Sequence, residues 1–477
     1  MTGRHWAWLP LLVALLLPAA PAGAQLLDAA AIGAREHPNV LREFGGEYPD
    51  PALRDYISGM GNWIVDHAGM AGRRFTFTVL NSDIVNAFAL PGGYVYVTRG
   101  LVALAGNEAE LAGTLAHEIA HVAAGHGEQR MTDRLLAEIG LAVVGSAVNS
   151  QALNRILESG ALAVLQSHSR EQEFEADRIG VRYLNRAGWT AGAMGSFLAR
   201  MEADRALLAA MSGRDSPAGQ LGILSTHPRT GERVEQATAL ARQEVPPVPE
   251  PRVGVVDFMR RIDGLWYGGD PDNGIVRDRA FLHPSLGFAF RAPPGFVIIN
   301  SAESVMALGP DGAQIRFDLG ERPPGVDMAA YVGRVWGGSL PLGEVERIDI
   351  NGLEGATAAA RVNTDQGPMD VRIVAARWRA ERVARFIFVT PPNATPAYNL
   401  EFRRTTFSYR LLDEAEAGSI RPYRLRTVEV RPGQTVHDFA ARMPFESWRE
   451  ARFRVLNGLA PGQPLEAGQW VKYVSAD

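Results

Sequence analysis

The sequence contains no cysteine. This excludes disulfide bonds, thiol catalysis and every zinc site with cysteine ligands, so a metal site in this chain needs histidine and carboxylate ligands. The formal net charge is only −5 and no long run of like charges occurs, which gives no reason to expect a nucleic-acid partner. A length of 477 residues, of which 46% are hydrophobic, predicts two to four domains with substantial cores.

Long apolar runs are confined to the N-terminus. Arg4 and His5 precede an apolar run that ends near Leu17, and the small residues Ala22-Gly23-Ala24 follow. This layout predicts a cleaved secretory signal over residues 1–24, because the run is shorter than the roughly 20 apolar residues that span a bilayer. We therefore expect a periplasmic protein without a transmembrane segment after cleavage. Association with the cell wall or the outer membrane stays open.

Residues 25–243 have a mostly helical pattern. An amphipathic run begins at Asp50-Pro51 and ends near His67, and Phe75 to Leu80 alternates like a strand. The stretch from Asn86 to Val97 is broken at Pro91-Gly92-Gly93, which predicts two short strands joined by a turn. Asn107 is a good N-cap for a helix that continues to about Ala124. Further helices are expected near 131–147, 152–186, 190–211 and 230–243.

A linker separates this region from the rest of the chain. Residues 244–251 contain four prolines and should be stiff and extended. Short β-like runs follow, and they predict an α+β accessory domain over 252–412 and a separate unit over 423–477. These runs lie at 288–290, 296–299, 304–308, 314–317, 371–376 and 384–389. The expected fold class is α+β and multidomain, with a mostly helical first domain that has a small β-sheet, then an α+β domain, then a small separate unit.

The clearest chemical signal is His117-Glu118-Ile119-Ala120-His121. Histidines four residues apart on a helix are offset by about 40° around its axis, so both imidazoles can bind one ion from the same face. Neutral imidazole suits Zn²⁺, which in catalytic sites keeps an open position for water. We therefore expect His117 and His121 to be zinc ligands. Glu118 would be the general base that takes a proton from the metal-activated water.

Two histidines leave a third ligand to be found. His126 lies about 140° round the helix from His121 and cannot converge on the same ion while the helix continues, so we expect it to be a helix-end residue. The long motif HExxHxxGxxH is excluded, because Ala124 and Gly127 stand where that motif needs glycine and histidine.

A downstream helix offers carboxylate ligands. Glu173 and Asp177 are four residues apart on one face, so Glu173 could bind zinc while Asp177 fixes the tautomer of a ligating imidazole. Spacing alone leaves His168 as a competing ligand.

Three motifs in this order resemble the HtpX/BepA-type zinc metallopeptidases, the gluzincins of metallopeptidase family 48, and in particular their soluble periplasmic members. The motifs are Asn86-Ala87-Phe88-Ala89-Leu90-Pro91-Gly92-Gly93, the HExxH segment, and Glu173-Phe174-Glu175-Ala176-Asp177. The resemblance covers roughly residues 35–240 and implies that residues 25–243 form a zincin-type catalytic domain. It implies one zinc ion per chain with Glu173 as third ligand, and Asp177 as second-sphere partner or proton donor. It also implies a substrate-binding edge strand formed by Asn86, Ala87, Phe88 and Ala89.

His227-Pro228 followed by Arg233 also matches a pattern of that family. In BepA-like members such a histidine can fill the open zinc position and keep the enzyme latent. The same histidine could instead stabilise the oxyanion during turnover, or simply cap the helix that follows. His227 is therefore a candidate catalytic residue whose role stays open.

The remaining regions resemble known modules less closely. No tetratricopeptide repeats follow the linker, which departs from the BepA pattern. Residues 252–412 resemble the Mog-one/PsbP sandwich, on the segments 288–296 and 405–410. Residues 423–477 resemble a divergent LysM module, which implies βααβ topology and a possible peptidoglycan ligand, although an extra stretch from Pro444 to Arg449 alters the expected groove.

The expected function is zinc-dependent endoproteolysis, that is, hydrolysis of peptide bonds by metal-activated water. The resemblance implies a role in periplasmic quality control, with misfolded or misassembled envelope proteins as substrates. The alternative is a cell-wall-associated chaperone or scaffold with a largely latent zinc site.

Overall fold

The computed structural model describes residues 29–129, 168–212, 227, 230–301, 303–364 and 367–476. The predicted signal segment, the predicted helix near 131–147 and the first part of the one near 152–186 lie outside these residues. Where it is described, the chain mixes helix and sheet in several parts, in agreement with the α+β prediction. Among the described helices, none has the length and apolar character needed to cross a membrane.

The first half of the chain surrounds a small sheet with helices. Its elements are α1 (Ala29–Glu43), α2 (Pro51–His67), β1 (Thr76–Leu80), β2 (Ala87–Leu90), β3 (Tyr94–Thr98), α3 (Arg99–Leu104), α4 (Glu108–Ala123), α5 (Arg170–Arg186), α6 (Ala193–Ser212) and α7 (Thr230–Ala241). Strand β3 is central, parallel to β1 and antiparallel to β2. The predicted strand at 75–80 and the predicted pair of strands around Pro91-Gly92-Gly93 are confirmed.

Helix α4 begins and ends close to the predicted positions. The Asn107 side chain accepts a hydrogen bond from the Glu110 backbone N–H at 2.9 Å, which satisfies a free donor of the first turn. The Glu110 carboxylate accepts from the Gly106 N–H instead of returning to Asn107. The helix ends at Ala123 because the chain then reverses at Gly125, whose φ of 70° lies in the left-handed region that glycine adopts at little cost.

Helix α5 packs closely against α4. Ser169 and Gln172 form a reciprocal capping box that fixes the start of α5. Gly180 faces α4, and a Cβ atom at this position would lie 3.2 Å from the Cα of His117. A larger residue would therefore force the two helices apart. Their close approach brings Glu173 and Asp177 level with the histidines of α4.

The middle of the chain is dominated by antiparallel sheet. Its elements are α8 (Val255–Ile262), β4 (Trp266–Tyr267), β5 (Ile275–Arg277), β6 (Ala280–His283), β7 (Phe288–Arg291), β8 (Val297–Asn300), β9 (Val305–Leu308), β10 (Gln314–Glu321), α9 (Met328–Ala330), β11 (Glu346–Ile350), β12 (Leu353–Thr364), β13 (Gly367–Arg379), β14 (Arg382–Thr390), α10 (Thr395–Ser408), β15 (Arg410–Leu411) and α11 (Glu414–Ser419). A seven-stranded sheet has the order β11-β12-β13-β14-β10-β9-β8, and a four-stranded sheet has the order β15-β7-β6-β5. All six strands predicted in this region are present.

The last unit consists of β16 (Tyr423–Glu429), α12 (Val436–Ala440), α13 (Arg449–Asn457) and β17 (Trp470–Ser475). Strand β16 is antiparallel to both β17 and β4. The elements therefore follow one another as strand, helix, helix and strand, as the sequence predicts. Membership of the LysM class stays a prediction.

One hydrophobic core joins this last unit to the first half. Leu425, Phe453 and Val471 are buried in the same cluster as apolar residues of α2, α4 and α6. Helix α8 contributes Phe258 and Ile262 to this cluster, whereas the seven-stranded sheet has separate cores. The last unit thus packs as an extension of the first half. The domain boundaries drawn from the sequence stay a prediction.

Candidate metal centre

Four side chains from three parts of the chain converge at a buried point. Helix α4 supplies His117 and His121, α5 supplies Glu173, and His227 lies shortly before α7. One ligand-type atom of each residue lies within 4.8 Å of those of the other three. The Nε2 atoms of His117 and His121 are 3.0 Å apart, and those of His121 and His117 lie 3.3 and 3.5 Å from the Glu173 carboxylate. All four side chains are buried.

Helix α5, which carries Glu173, also supplies a hydrogen-bond partner for the Nδ1 atom of His117. The Asp177 carboxylate accepts a hydrogen bond from His117 Nδ1 at 2.9 Å and binds Arg233 of α7 through two contacts of 2.7 Å. Arg233 also lies 2.6 Å from Glu173. Burial raises the pKa of Asp177, but the Arg233 guanidinium lowers it more, to about 2. Asp177 is therefore a permanent anion that keeps His117 Nε2 directed at the centre of the group.

The electrostatics of the group favour a cation. Burial lowers the pKa of His117, but hydrogen bonds to Asp177 and Glu173 raise it more, to about 9. Burial alone opposes the ionised form of Glu173, yet the neighbouring His227 and Arg233 hold its pKa well below its usual range. Burial lowers the pKa of His121 well below its usual range, which leaves its ring neutral. The carboxylates of Glu173 and Asp177 thus stabilise a positive charge next to the neutral ring of His121.

Glu118 is the feature that best tests whether a metal ion fits. Its side chain is fully buried, with His227 Nε2 at 3.5 Å, and neither oxygen receives a hydrogen bond from the residues that the structure describes. A buried carboxylate without a donor is costly unless a cation, water or substrate satisfies it. Three imidazoles and one carboxylate are also ligands that Zn²⁺ prefers. The residues present therefore fit a zinc site, while the identity of the ion is not fixed by them.

The two remaining histidines of this region lie beside the group of four. The His168 ring stacks on that of His121, with ring centroids 3.7 Å apart. His126 Nδ1 lies 2.8 Å from His121 Nδ1. From the sequence we expected His126 to be only a helix-end residue and assigned Arg233 no role, so the contacts of both residues were missed. The signal for His126 was Gly125, because a helix that ends at a glycine can turn the next side chain back to the metal-binding face.

The predicted substrate strand belongs to the small sheet that packs beside α4. Strand β2 packs against α4 and forms one edge of the three-stranded sheet. Ala87, Phe88 and Ala89 are buried, and Phe88 stacks on Tyr96. On its free side, β2 pairs with no other strand among the described residues. Phe88 thus packs the sheet while the backbone of β2 occupies an edge.

These observations define a class of protein. A helix with two histidines and a glutamate in the HExxH spacing, completed by a glutamate from a second helix, is the arrangement of a zinc-dependent metallopeptidase. Residues 51–241 match the sequence model of Peptidase family M48. The resemblance inferred from the three motifs is confirmed by this match.

Curated relatives share this part of the chain. The β-barrel assembly-enhancing protease of Escherichia coli K12 is 33% identical over 221 residues, which are 44% of this chain and 43% of that protein. The protein of the same name from Yersinia pestis is 34% identical over 47% of this chain and 46% of its own length. The mitochondrial metalloendopeptidase OMA1 of Schizosaccharomyces pombe is 29% identical over 42% of this chain and 58% of its length. The chain thus spans about half the length of these relatives.

Solved structures give a more distant likeness. Cyanobacterial PsbP from Synechocystis sp. PCC 6803 is 14% identical to the matched 28% of this chain, covers 91% of its own length, and has a TM-score of 0.24. A likeness at this level does not establish a shared fold, so the predicted Mog-one/PsbP sandwich stays a prediction.

Proposed function

We propose that this protein is a zinc-dependent metalloendopeptidase that cleaves polypeptides at the His117 centre. The observation that carries this proposal is the meeting of His117, His121 and Glu173 beside the buried Glu118 carboxylate. These four residues come from two helices that are separated in sequence, and their meeting at one buried point supports this chemistry.

Different residues would bind the metal ion and transfer the proton. We propose that His117, His121 and Glu173 hold one zinc ion per chain. When bound, zinc would supply Lewis-acid activation of water and of the scissile carbonyl. Glu118 accepts the proton of the attacking water and returns it to the leaving amine. Asp177 accepts a hydrogen bond from the Nδ1–H group of His117 and so fixes the tautomer that presents Nε2 to the ion.

The edge strand β2 would bind the substrate in extended form. Main-chain groups of Asn86 to Ala89 could hydrogen-bond to a peptide laid along the free side of β2, as in other cases of strand addition. The packing of β2 against α4 supports this role, because a peptide held there would run beside the HExxH helix.

His227 has two proposed roles that the geometry alone does not separate. Its Nδ1 atom lies 2.8 Å from Glu173 and 3.3 Å from His117 Nε2, which supports a latch that fills the open zinc position. Its Nε2 atom faces Glu118, where an imidazole could instead stabilise an oxyanion. We favour the latch, because His227 belongs to the ligand group itself.

The proposed setting is the periplasm, after removal of residues 1–24, with unfolded or misassembled envelope proteins as substrates. The shared peptidase domain of the β-barrel assembly-enhancing proteases supports this assignment. Peptidoglycan binding by residues 423–477, which would associate the protein with the cell wall, is a second proposal and rests on their LysM resemblance. The alternative is a scaffold with a latent zinc site.

The variant Glu118→Gln tests the proposal. It should retain about one zinc ion per chain, measured by elemental analysis, but lose roughly 10²- to 10⁴-fold or more of its activity on casein, because only the proton acceptor is gone. Glu171→Gln, which changes an exposed glutamate of α5, is the matched control and should be fully active. Undiminished cleavage by Glu118→Gln would contradict the mechanism. A cellular role that survives this substitution would favour the scaffold.

A further inference from the structure

Each of the two histidines of α4 that we propose as zinc ligands has a second side chain in contact with its Nδ1 atom, on the side of the ring that faces away from the metal position. His117 Nδ1 contacts the Asp177 carboxylate at 2.9 Å, and His121 Nδ1 contacts His126 Nδ1 at 2.8 Å. We propose that His126 is a positioning residue that orients the His121 ring for zinc, with Glu175 as its own anchor. This inference rests on the proposed zinc site and assigns the side chains that hold its second histidine.

The local fold explains how His126 reaches His121. Helix α4 ends at Ala123, and Gly125 takes a φ of 70°, so the chain reverses direction within two residues. The side chain of His126 then points back along the helix it has just left. Its exposed fraction is 1%, so water does not compete for its ring nitrogens.

The hydrogen bonds determine which ring nitrogen carries the proton in His121 and in His126. If His121 presents Nε2 to a metal ion, its proton is on Nδ1 and is donated to His126 Nδ1. His126 must then carry its own proton on Nε2, because one nitrogen of a neutral imidazole accepts while the other donates. That Nε2 atom faces Glu175 at 3.4 Å. The order His121, His126, Glu175 is therefore a consistent chain of donors and acceptors.

A second metal ion is the competing explanation. His121, His126 and His168 also have nitrogen atoms within 4.8 Å of one another. An ion there would need the Nδ1 lone pair of His121, whose Nε2 already faces His117 and Glu173. His121 would have to lose both ring protons to serve two ions, whereas the hydrogen-bonded chain needs only neutral histidines. The chemistry therefore favours positioning.

A pair of substitutions separates positioning from mere packing. His126→Asn keeps an acceptor near the position of Nδ1, whereas His126→Leu fills the space without one. We would measure zinc affinity by competition with a fluorescent chelator, zinc content by elemental analysis, and thermal unfolding of the zinc-free protein. His126→Leu should bind zinc about 10- to 100-fold more weakly, as expected for loss of an outer-sphere partner, and His126→Asn should recover most of that loss.

Each other outcome has a clear meaning. Equal zinc affinity in both variants and the wild type would overturn the proposal. A parallel loss of zinc-free thermal stability and affinity in both variants would reduce His126 to a packing residue and also overturn it. Two zinc ions per chain in the wild type and one in His126→Leu would establish the second metal site instead. A wild-type protein that binds no zinc would refute the proposed function itself, which is a different result.

Discussion

Two deeply buried ionic sites in this molecule are built in opposite ways. At the metal centre, side chains of α4, α5, α7 and His227 contact one another, and Glu118 finds no donor among the described residues. The other site is a single side chain, Lys472 of β17. Its Nζ atom donates to the carbonyl oxygens of Ala103, Leu104 and Ala105 at 2.6, 2.9 and 2.6 Å. The Glu118 carboxylate at the first site still needs a hydrogen-bond donor or a cation. The Lys472 amino group at the second site already has three hydrogen-bond acceptors.

Lys472 illustrates why the second site is complete. It is the only lysine in the chain, in which arginine supplies the other basic residues. An ammonium group has three donors at one compact point and so matches three carbonyls at the end of α3, whereas the planar guanidinium of arginine does not. A positive charge is also favourable at the C-terminal end of a helix. Burial lowers the pKa of Lys472 well below its usual range, but three carbonyl acceptors at hydrogen-bond distance favour the ammonium form. A side chain satisfied in this way serves the fold and not the chemistry.

The two sites nevertheless lie near opposite ends of the same helix, α4, since the acceptors of Lys472 directly precede it. The carbonyls that bind Lys472 lie just before α4, and Arg200 of α6 binds both Glu110 of α4 and the Leu456 carbonyl of α13. The last unit of the chain is thus tied to the start of the helix that carries His117. We conclude that loss of a side chain should abolish zinc binding at one site and destabilise the fold at the other.

Of the substitutions considered, Glu173→Ala should have the largest effect on zinc binding and on activity. Without this carboxylate the zinc site keeps only two ligands of the proposed set, so zinc should be lost together with activity. Asp177→Ala should cause a milder loss of roughly 10- to 100-fold in affinity or activity, because it orients a ligand. Elemental analysis and casein cleavage measure both. Glu171→Ala and His168→Ala are the controls, and zinc lost by His168→Ala but kept by Glu173→Ala would show that the wrong ligand was chosen.

His227→Ala has an effect whose sign decides between two roles. If His227 is a latch, its removal opens the fourth zinc position and activity on model peptides should rise. If it stabilises the oxyanion, turnover should fall by roughly 10²- to 10³-fold. Zinc content measured in parallel separates either result from loss of the metal. Unchanged activity and zinc content would leave His227 as a helix-capping residue only.

The sequence predicted the metal centre better than it predicted the second site, for a physical reason. The spacing of His117 and His121 fixes their geometry within one helix, and Glu173 and Asp177 share a face in the same way. Contacts of Arg233 and Lys472 depend on how distant elements dock, which no local pattern encodes. Strand β12 was missed because its segment Ala356-Thr357-Ala358-Ala359-Ala360 is mostly alanine, with one β-branched residue and no aromatic residue.

Lys472→Met should destabilise the protein without removing the zinc ligands. Three buried carbonyls would lose their donor, which we expect to cost about 3–5 kcal/mol of the free energy of unfolding. Lys472→Arg should not restore stability, because the forked guanidinium cannot replace the ammonium. Urea unfolding of the zinc-loaded protein measures the loss, with Arg431→Met, an exposed position next to β16, as control. Wild-type stability of Lys472→Met would show that the contact is dispensable.

Asp204 of α6 lies between the two cases, because it is a partly buried carboxyl group that has neither a metal-type cluster nor backbone hydrogen-bond partners among the described residues. Burial raises its pKa to about 6, although Arg452 opposes this. The folded state therefore binds its proton more tightly than the unfolded state, and its contribution to stability is full below about pH 3.8 and is lost as the pH rises through about 6. Because the side chain is partly exposed, we expect a modest effect of about 1 kcal/mol on the free energy of unfolding.

Asp204→Asn should accordingly exceed the wild type in stability by about that amount at pH 7, and by less at pH 4, in urea unfolding. Asp66→Asn, which changes an exposed residue of α2, should show no such trend. An equal difference between Asp204→Asn and wild type at both pH values would mean that the carboxyl group does not titrate abnormally and that burial of this charge is without consequence for the fold.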